Sequence, residues 1–199
     1  MAKSIEVPTS EAGRLKMLPY WMALGEFVDS FARLETVLKH FLIRMLSLND
    51  EVGRVVTAGL RADTLAAYIL RVNELTPLSA TDSKFVEEAI KHFSAINTVR
   101  NSILHSGVSD IHEEQYRITN MLTARTPRHE REFFVTPEKI QGMSDDLVRL
   151  LAYFGLHAVR TEVAAPVRAS LQPVLNRAWQ SKPLELMNRS PENHRDSQR

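Results

Sequence analysis

The feature that most constrains this chain is an apolar stripe kept at helical spacing across almost forty residues. Leu24, Val28, Phe31, Leu38, Leu42 and Met45 recur at intervals of three, four and seven, the signature of one helix burying one face. The pattern runs from about Glu11 to Leu48 and tolerates Pro19, which fits best in a first turn. Asn49-Asp50 then breaks it. A chain that commits this much length to one amphipathic helix must supply other helices to cover it.

The rest of the sequence supplies them. A shorter helix or pair of helices is expected over 50–75, interrupted near Gly53 or Gly59, and Thr76-Pro77-Leu78-Ser79 reads as a turn. A third strong segment begins at Thr81 or Asp82 as N-cap and reaches Ser106, with Gly107 placed as a C-cap glycine. Its stripe is Val86, Ala89, Phe93, Ile96 and Ile103, and Arg100 falls within it. Two β-prone runs follow, Tyr116–Ala124 and Glu130–Val135, joined by Arg125-Thr126-Pro127-Arg128-His129. Thr136-Pro137-Glu138 starts a last core helix carrying Ile140, Met143, Leu147, Leu150, Leu151 and Phe154 and ending near Val163. The expected fold is all-α, a bundle of about four main helices with a short β-like hairpin excursion before the last core helix. Residues 1–10 form a flexible leader, 11–165 the helical domain, and 166–199 a tail that is partly helical and then disordered from Ser181.

Composition excludes several chemistries. With 44 % hydrophobic and 25 % charged residues, the 199-residue chain has ordinary globular make-up, and its net charge of +1 gives no global pull toward nucleic acid. The absence of cysteine removes disulfides, thiolate catalysis and cysteine-ligated zinc. No HExxH, di-iron Glu-x-x-His pair, glycine-rich phosphate loop or serine nucleophile elbow occurs, so neither a metal nor a cofactor is expected. No signal-peptide or membrane-spanning run is present, and a cytoplasmic location without membrane contact is the expectation.

The chemistry-bearing stretch is Arg100-Asn101-Ser102-Ile103-Leu104-His105, at the end of the third segment. A permanent cation, an amide and the one side chain that titrates near neutrality lie within six residues. Metal-free RNA cleavage needs a base for the 2′-hydroxyl, an acid for the leaving oxygen, and a cation for the phosphorane. His105 suits the acid/base role, since a helix C-terminus favours its protonated form. Arg100 could clamp phosphate oxygens bidentately, and Asn101, on the face of His105, could orient the imidazole or bind phosphate. Five residues turn an ideal helix about 500°, so Arg100 and His105 stand about 140° apart and cannot converge on one phosphate within a regular helix. Glu35, a carboxylate on the first stripe, is a supporting candidate and is expected to form a buried ion pair with Arg100. Arg117, Arg125, Arg128 and Arg131 make a basic excursion that could track an RNA backbone.

The string RNSILHSG, after a helix reading FSAINTV, resembles the HEPN superfamily of helical ribonucleases and nucleic-acid-associated proteins. That family's mark is an arginine, four to six residues and a histidine, often with a polar residue beside the arginine, here Arg100, Asn101 and His105. The spacing also occurs at Arg33/His40 and Arg189/His194. Arg100/His105 differs from both in combining Asn101, a helix end and an arginine on an apolar stripe. The opening helix LGEFVDSFARLETVL is also similar to that of several bacterial members, and the resemblance covers roughly 20–163. It implies a homodimer with two motifs facing across a shared cleft, an RNA substrate and a toxin or defence role, with an antitoxin or other protein partner. The rival expectation is a catalytically silent helical dimer that binds a protein partner or nucleotide.

Overall fold

The computed structural model describes residues 10–112, 115–120, 132–158, 167, 170–171, 173–175 and 177–183. The chain is mostly helical and carries one small antiparallel sheet. Helix α1 spans Glu11–Met45, α2 Asp50–Thr57, α3 Ala62–Leu75, α4 Ala80–Leu104 and α5 Pro137–Ala158; strands β1 (Gly107–His112), β2 (Gln115–Thr119) and β3 (Glu132–Val135) lie between α4 and α5.

Each helix end has a local cause. Ser10 caps α1 by accepting from the Gly13 amide, and Pro19 sits inside the helix without ending it. The helix stops at Met45 because Ser47 turns left-handed at φ 53°. Ser47 and Leu48 then donate back to the carbonyls of Arg44 and Ile43, a Schellman closure with serine where glycine is usual. Asn49 caps α2 through Val52 N–H at 2.9 Å, and Gly59, at φ 71°, makes the turn toward α3. The cap of α4 is Ser79, two or three residues before the expected Thr81 or Asp82. Its hydroxyl accepts from the Asp82 amide and donates to the Asp82 carboxylate, so Asp82 is the third helical residue, bonded to the cap rather than being it. Gly107 does not cap the other end. His105 takes that position, and Gly107 opens β1 without a left-handed backbone.

The core is organised by one level of contacts. The Phe31 and Phe93 rings stack at 5.2 Å, which fixes α4 against α1. On the other side of α4, His92 bonds Asp146 of α5 at 2.9 Å, and Tyr153 reaches the Asp82 carbonyl. Helix α4 therefore runs antiparallel to α5. Gln141 meets Glu26, and Phe41 meets Phe154, so α1 and α5 run parallel. Their contact is the most extensive in the chain. The buried line of α1 is Met17, Tyr20, Phe27, Phe31, Leu34, Leu38, Phe41 and Leu42, while the expected Leu24, Val28 and Met45 lie half-buried along its margin.

The sheet closes the end of the core where α4 finishes. Its order is β1-β2-β3, and Tyr116↔Val135 and Ile118↔Phe133 are cross-strand pairs with all four residues buried. Tyr116 stacks on Tyr20 at 4.8 Å and donates its hydroxyl to the Lys16 carbonyl at 2.7 Å. Burial and the neighbouring Tyr116 push the Tyr20 phenol up to about 12. The described parts of the expected excursion, with β1 as an addition to the two runs read in the sequence, form a three-stranded sheet; residues 121–131, with the expected connection, lie outside the described residues.

Gly53 packs α2 onto the end of α1: a β-carbon there would lie 2.7 Å from both γ-carbons of Ile43. Gly53→Ala is expected to destabilise by roughly 1–3 kcal/mol in urea unfolding. Combined with Ile43→Ala, which vacates the space, the loss should fall short of the sum of the two single effects.

Candidate functional site

Arg100 lies half-buried one turn before the end of α4. Side chains lean toward the N-terminus of their helix, and Arg100 accordingly reaches back so that its guanidinium carbon sits 4.8 Å over the Phe31 ring. One terminal nitrogen donates to the Asn101 Oδ1 at 3.0 Å. Its Nε is buried and has no hydrogen-bond partner, and neither has the Oδ1 of Asn97, one turn earlier on α4. A buried donor and a buried acceptor are therefore unsatisfied within a single turn, each a desolvation cost that a polar group entering from outside would remove.

His105 is exposed and closes α4, its backbone N–H bonded to the Asn101 carbonyl at 3.0 Å. Its imidazole has no hydrogen bond among the described residues. The divergence expected from helix geometry is present: Arg100 lies on an aromatic ring and His105 in solvent. Asn101 gives its Oδ1 to Arg100 and does not orient the imidazole.

The expected ion pair between Glu35 and Arg100 does not form: the guanidinium lies over the Phe31 ring and gives a terminal N–H to Asn101 instead of reaching Glu35, one turn beyond Phe31. Glu35 is half-buried and has no partner among the described residues. Arg117, on β2, is held at 2.6 Å by Glu132 of the adjacent strand. Arg125, Arg128 and Arg131 lie outside the described residues.

A second polar centre was not visible in the sequence. The Asp146 carboxylate, 1 % exposed, accepts from His92 Nε2, from the Gln180 and Ser181 amides at 2.7 and 2.9 Å, and from the Ser181 hydroxyl. Trp179 stacks on His92 at 4.2 Å, and the Arg149 guanidinium lies 3.9 Å over its indole. Segment 177–183 is thereby strapped onto α4 and α5, with Ser181 and Pro183 buried. The expectation of a disordered tail from Ser181 is corrected for residues 181–183; 184–199 lie outside the described residues. The physical reason is that a single carboxylate supplies the partners for two backbone amides and a hydroxyl of the strap. The signals were Trp179 in a polar tail and Asp146 beside the stripe of α5.

His92, Asp146 and Ser181 are the residue types of a hydrolase triad, but their connectivity is wrong for one. Ser181 donates to Asp146 and not to His92, so no base is placed to activate its oxygen. An open cleft of about 240 Å³ beside the strap is lined by Asp145, Arg149 and Arg177 among others. Among the described residues no cluster of three or more His, Asp or Glu could hold a metal ion, and no helix is long and apolar enough to cross a membrane. No protein-family model matches the chain, and no curated protein or solved structure is similar enough to be matched.

Burial works to raise the Asp146 pKa, but the hydrogen bonds from His92, Ser181 and the two amides outweigh it and hold the group below the usual carboxylate range. The sign follows from linkage. A folded value below the unfolded one, about 3.9, makes the stabilisation complete above that pH and lost as pH falls through the folded value. Strap docking should therefore keep the full Asp146 contribution down to the ordinary carboxylate range and fail only as pH falls below it, through the lowered folded value. Trp179 fluorescence in a Trp21→Phe background would follow it. Asp146→Asn should cost roughly 2–4 kcal/mol and open Arg177 to trypsin at neutral pH.

Proposed function

We propose that this chain is a metal-independent endoribonuclease of HEPN type that works as a homodimer, with a toxin or defence role of the kind the resemblance implies. The observation that carries the reading is the end of α4: a half-buried arginine with an unpartnered Nε, a buried acceptor on Asn97, and an unbonded histidine at the exposed cap. A guanidinium that is partly desolvated but not neutralised by any carboxylate binds a phosphate more strongly than a solvated one. His105, free at the helix end, is available for proton transfer. In the reaction, one imidazole takes the 2′-hydroxyl proton as the 2′-oxygen bonds phosphorus. A proton delivered to the departing 5′-oxygen completes the cleavage and leaves a 2′,3′-cyclic phosphate.

Since Arg100 and His105 diverge within one chain, the reactive pair has to be assembled from two: the arginine of one copy and the histidine of the other. The helical-bundle architecture expected of the family provides rigid elements for such a meeting. Arg125, Arg128 and Arg131 are proposed RNA-backbone contacts, whereas Arg117 is engaged by Glu132 and serves the sheet first. Glu35, lacking its expected partner, has no part in this mechanism.

A second reading has an observation of its own. The Arg100 guanidinium already has an aromatic platform and a neighbouring amide, which suits a structural arginine in a silent helical dimer that binds a protein or nucleotide. Incubation with RNA in EDTA separates the two. The nuclease yields cyclic-phosphate ends, and Arg100→Ala or His105→Ala lowers the rate by about 10²-fold or more. Mixing those two inactive variants should restore about a quarter of wild-type activity, because random pairing rebuilds one composite centre in half the dimers. Uncleaved RNA across structured and single-stranded substrates with the folded wild type would sink the nuclease reading.

A further inference from the structure

The side of α1 that faces away from the core is not covered by anything among the described residues over its N-terminal half. Leu15 (64 % exposed), Leu18 (47 %), Trp21 (45 %) and Met22 (67 %) line it, with the exposed Gly25 among them. Their spacing of three, four and seven places them within about 120° of helix surface. Large apolar side chains clustered this way mark an interaction face, and tryptophan and methionine are the types enriched at such faces.

The charges that bound this stripe identify what covers it. Glu11 and Arg14 precede it, and Asp29 and Arg33 follow it, all exposed and on the same face of the helix. Reversing the helix about the midpoint between Trp21 and Met22 sets Arg14 against Asp29 and Leu18 against Gly25, brings Glu11 within one residue of Arg33, and places Trp21 and Met22 beside the axis. Arg14 meets its opposite, Glu11 and Arg33 come about one residue's rise apart, and Leu18, Trp21 and Met22 lie together about the axis. A partner of another kind would not require α1 to match its own reversal, whereas a two-fold axis requires it. Gly25 contributes room, since a β-carbon there would find nothing within 4 Å. The existing Asp29–Arg33 pair, at 2.8 Å, is highly exposed and is free to exchange partners at little cost.

We infer that two copies of this chain pair antiparallel through the exposed face of α1, over roughly 33 Å from Glu11 to Arg33. The pairing does not rest on the nuclease reading. Phe31, with Arg100 over it, lies on the side of α1 turned away from this face. Copies joined here hold their α4 ends about three helix spacings apart, roughly 25–30 Å. A chain that also meets through its α4 ends has two self-complementary faces and assembles beyond a dimer. One that meets only through α1 is a dimer with separated motifs.

Light scattering and sedimentation of the full chain test the inference. The wild type should associate, and Met22→Asp or Arg14→Asp should weaken association about tenfold or more. Gly25→Lys guards against misfolding as an explanation. In a single chain the new side chain enters open space and gains Asp29 as an i,i+4 partner, so the melting temperature of the monomer should not fall. In the pair it drives an ammonium against the partner's leucine, and association should be lost. Asp29→Arg should weaken pairing alone, yet restore it when mixed with Arg14→Asp, because the mixed pair again sets opposite charges together at both positions. A wild type of single-chain mass at all concentrations overturns the inference, as does association that Met22→Asp and Gly25→Lys leave unchanged. RNA cleavage by the Gly25→Lys variant reports separately on the nuclease.

Discussion

One level of contacts across three helices sets the geometry of everything else. Phe31 of α1 stacks on Phe93 of α4, and the residue beside Phe93, His92, bonds Asp146 of α5. Two successive residues on α4 thus face opposite neighbours at the same height, one through an apolar stack and one through a hydrogen bond. Apolar packing supplies most of the driving force but is tolerant of sliding. The directional bond to a buried carboxylate is not. Together they lock the register of an antiparallel helix packed across two parallel ones, and residues further along α4 have their surroundings dictated by that lock. Arg100, two turns past Phe93, falls back onto the Phe31 ring because of it.

The same lock explains why the two polar centres of the molecule differ in character. Asp146 is surrounded by donors: a histidine, a hydroxyl and two backbone amides. Such saturation stabilises a charge and leaves it no free valence for chemistry. It serves to hold Trp179 and segment 177–183 against α4 and α5. The end of α4 has the opposite balance. Arg100 has one terminal bond and an aromatic face, its Nε has none, and Asn97 presents an unsatisfied acceptor nearby. Natural cores rarely leave such groups unmet without a use for them. The contrast is between a completed polar set, which holds the strap, and an incomplete one, on which the proposed site rests.

The long helices were legible because each carries a single stripe over many turns, and the periodicity of α1, α4 and α5 survives local noise. Boundaries were less so where two residues compete for one role, as Ser79 and Asp82 do at the head of α4. Strand β1 was hidden because GVSDIH offers only Val108 and Ile111 as apolar residues, and a bulge between Val108 and Asp110 breaks their alternation. Arg100, Asn101 and His105 were correctly placed at a helix end, and their divergence followed from 3.6 residues per turn. The Glu35–Arg100 pair failed for a different reason. Each residue lies on or beside a buried stripe of its own helix, but a stripe does not encode where the head of a long side chain settles, and Phe31 and Asn101 hold the Arg100 guanidinium. The docking of 177–183 is of that same kind, a tertiary contact between sites 35 residues apart with only an isolated tryptophan to announce it.

Helix α1 carries two messages at once. Its buried face is a line of phenylalanines and leucines that any helical core could use, and its register is read out by contact with α4 and α5. Its other face has no partner on another element among the described residues over Glu11–Arg33, yet its pattern is ordered: acid, base, four large apolar groups, a glycine, acid, base. Solubility alone would favour dispersed charges in place of Trp21 and Met22. A core role is excluded by exposure. What remains is contact outside the chain, and the charges at the two ends of the face suit the proposed partner, a like helix running the other way. The pattern is a property of the sequence itself, and the fold turns that face outward.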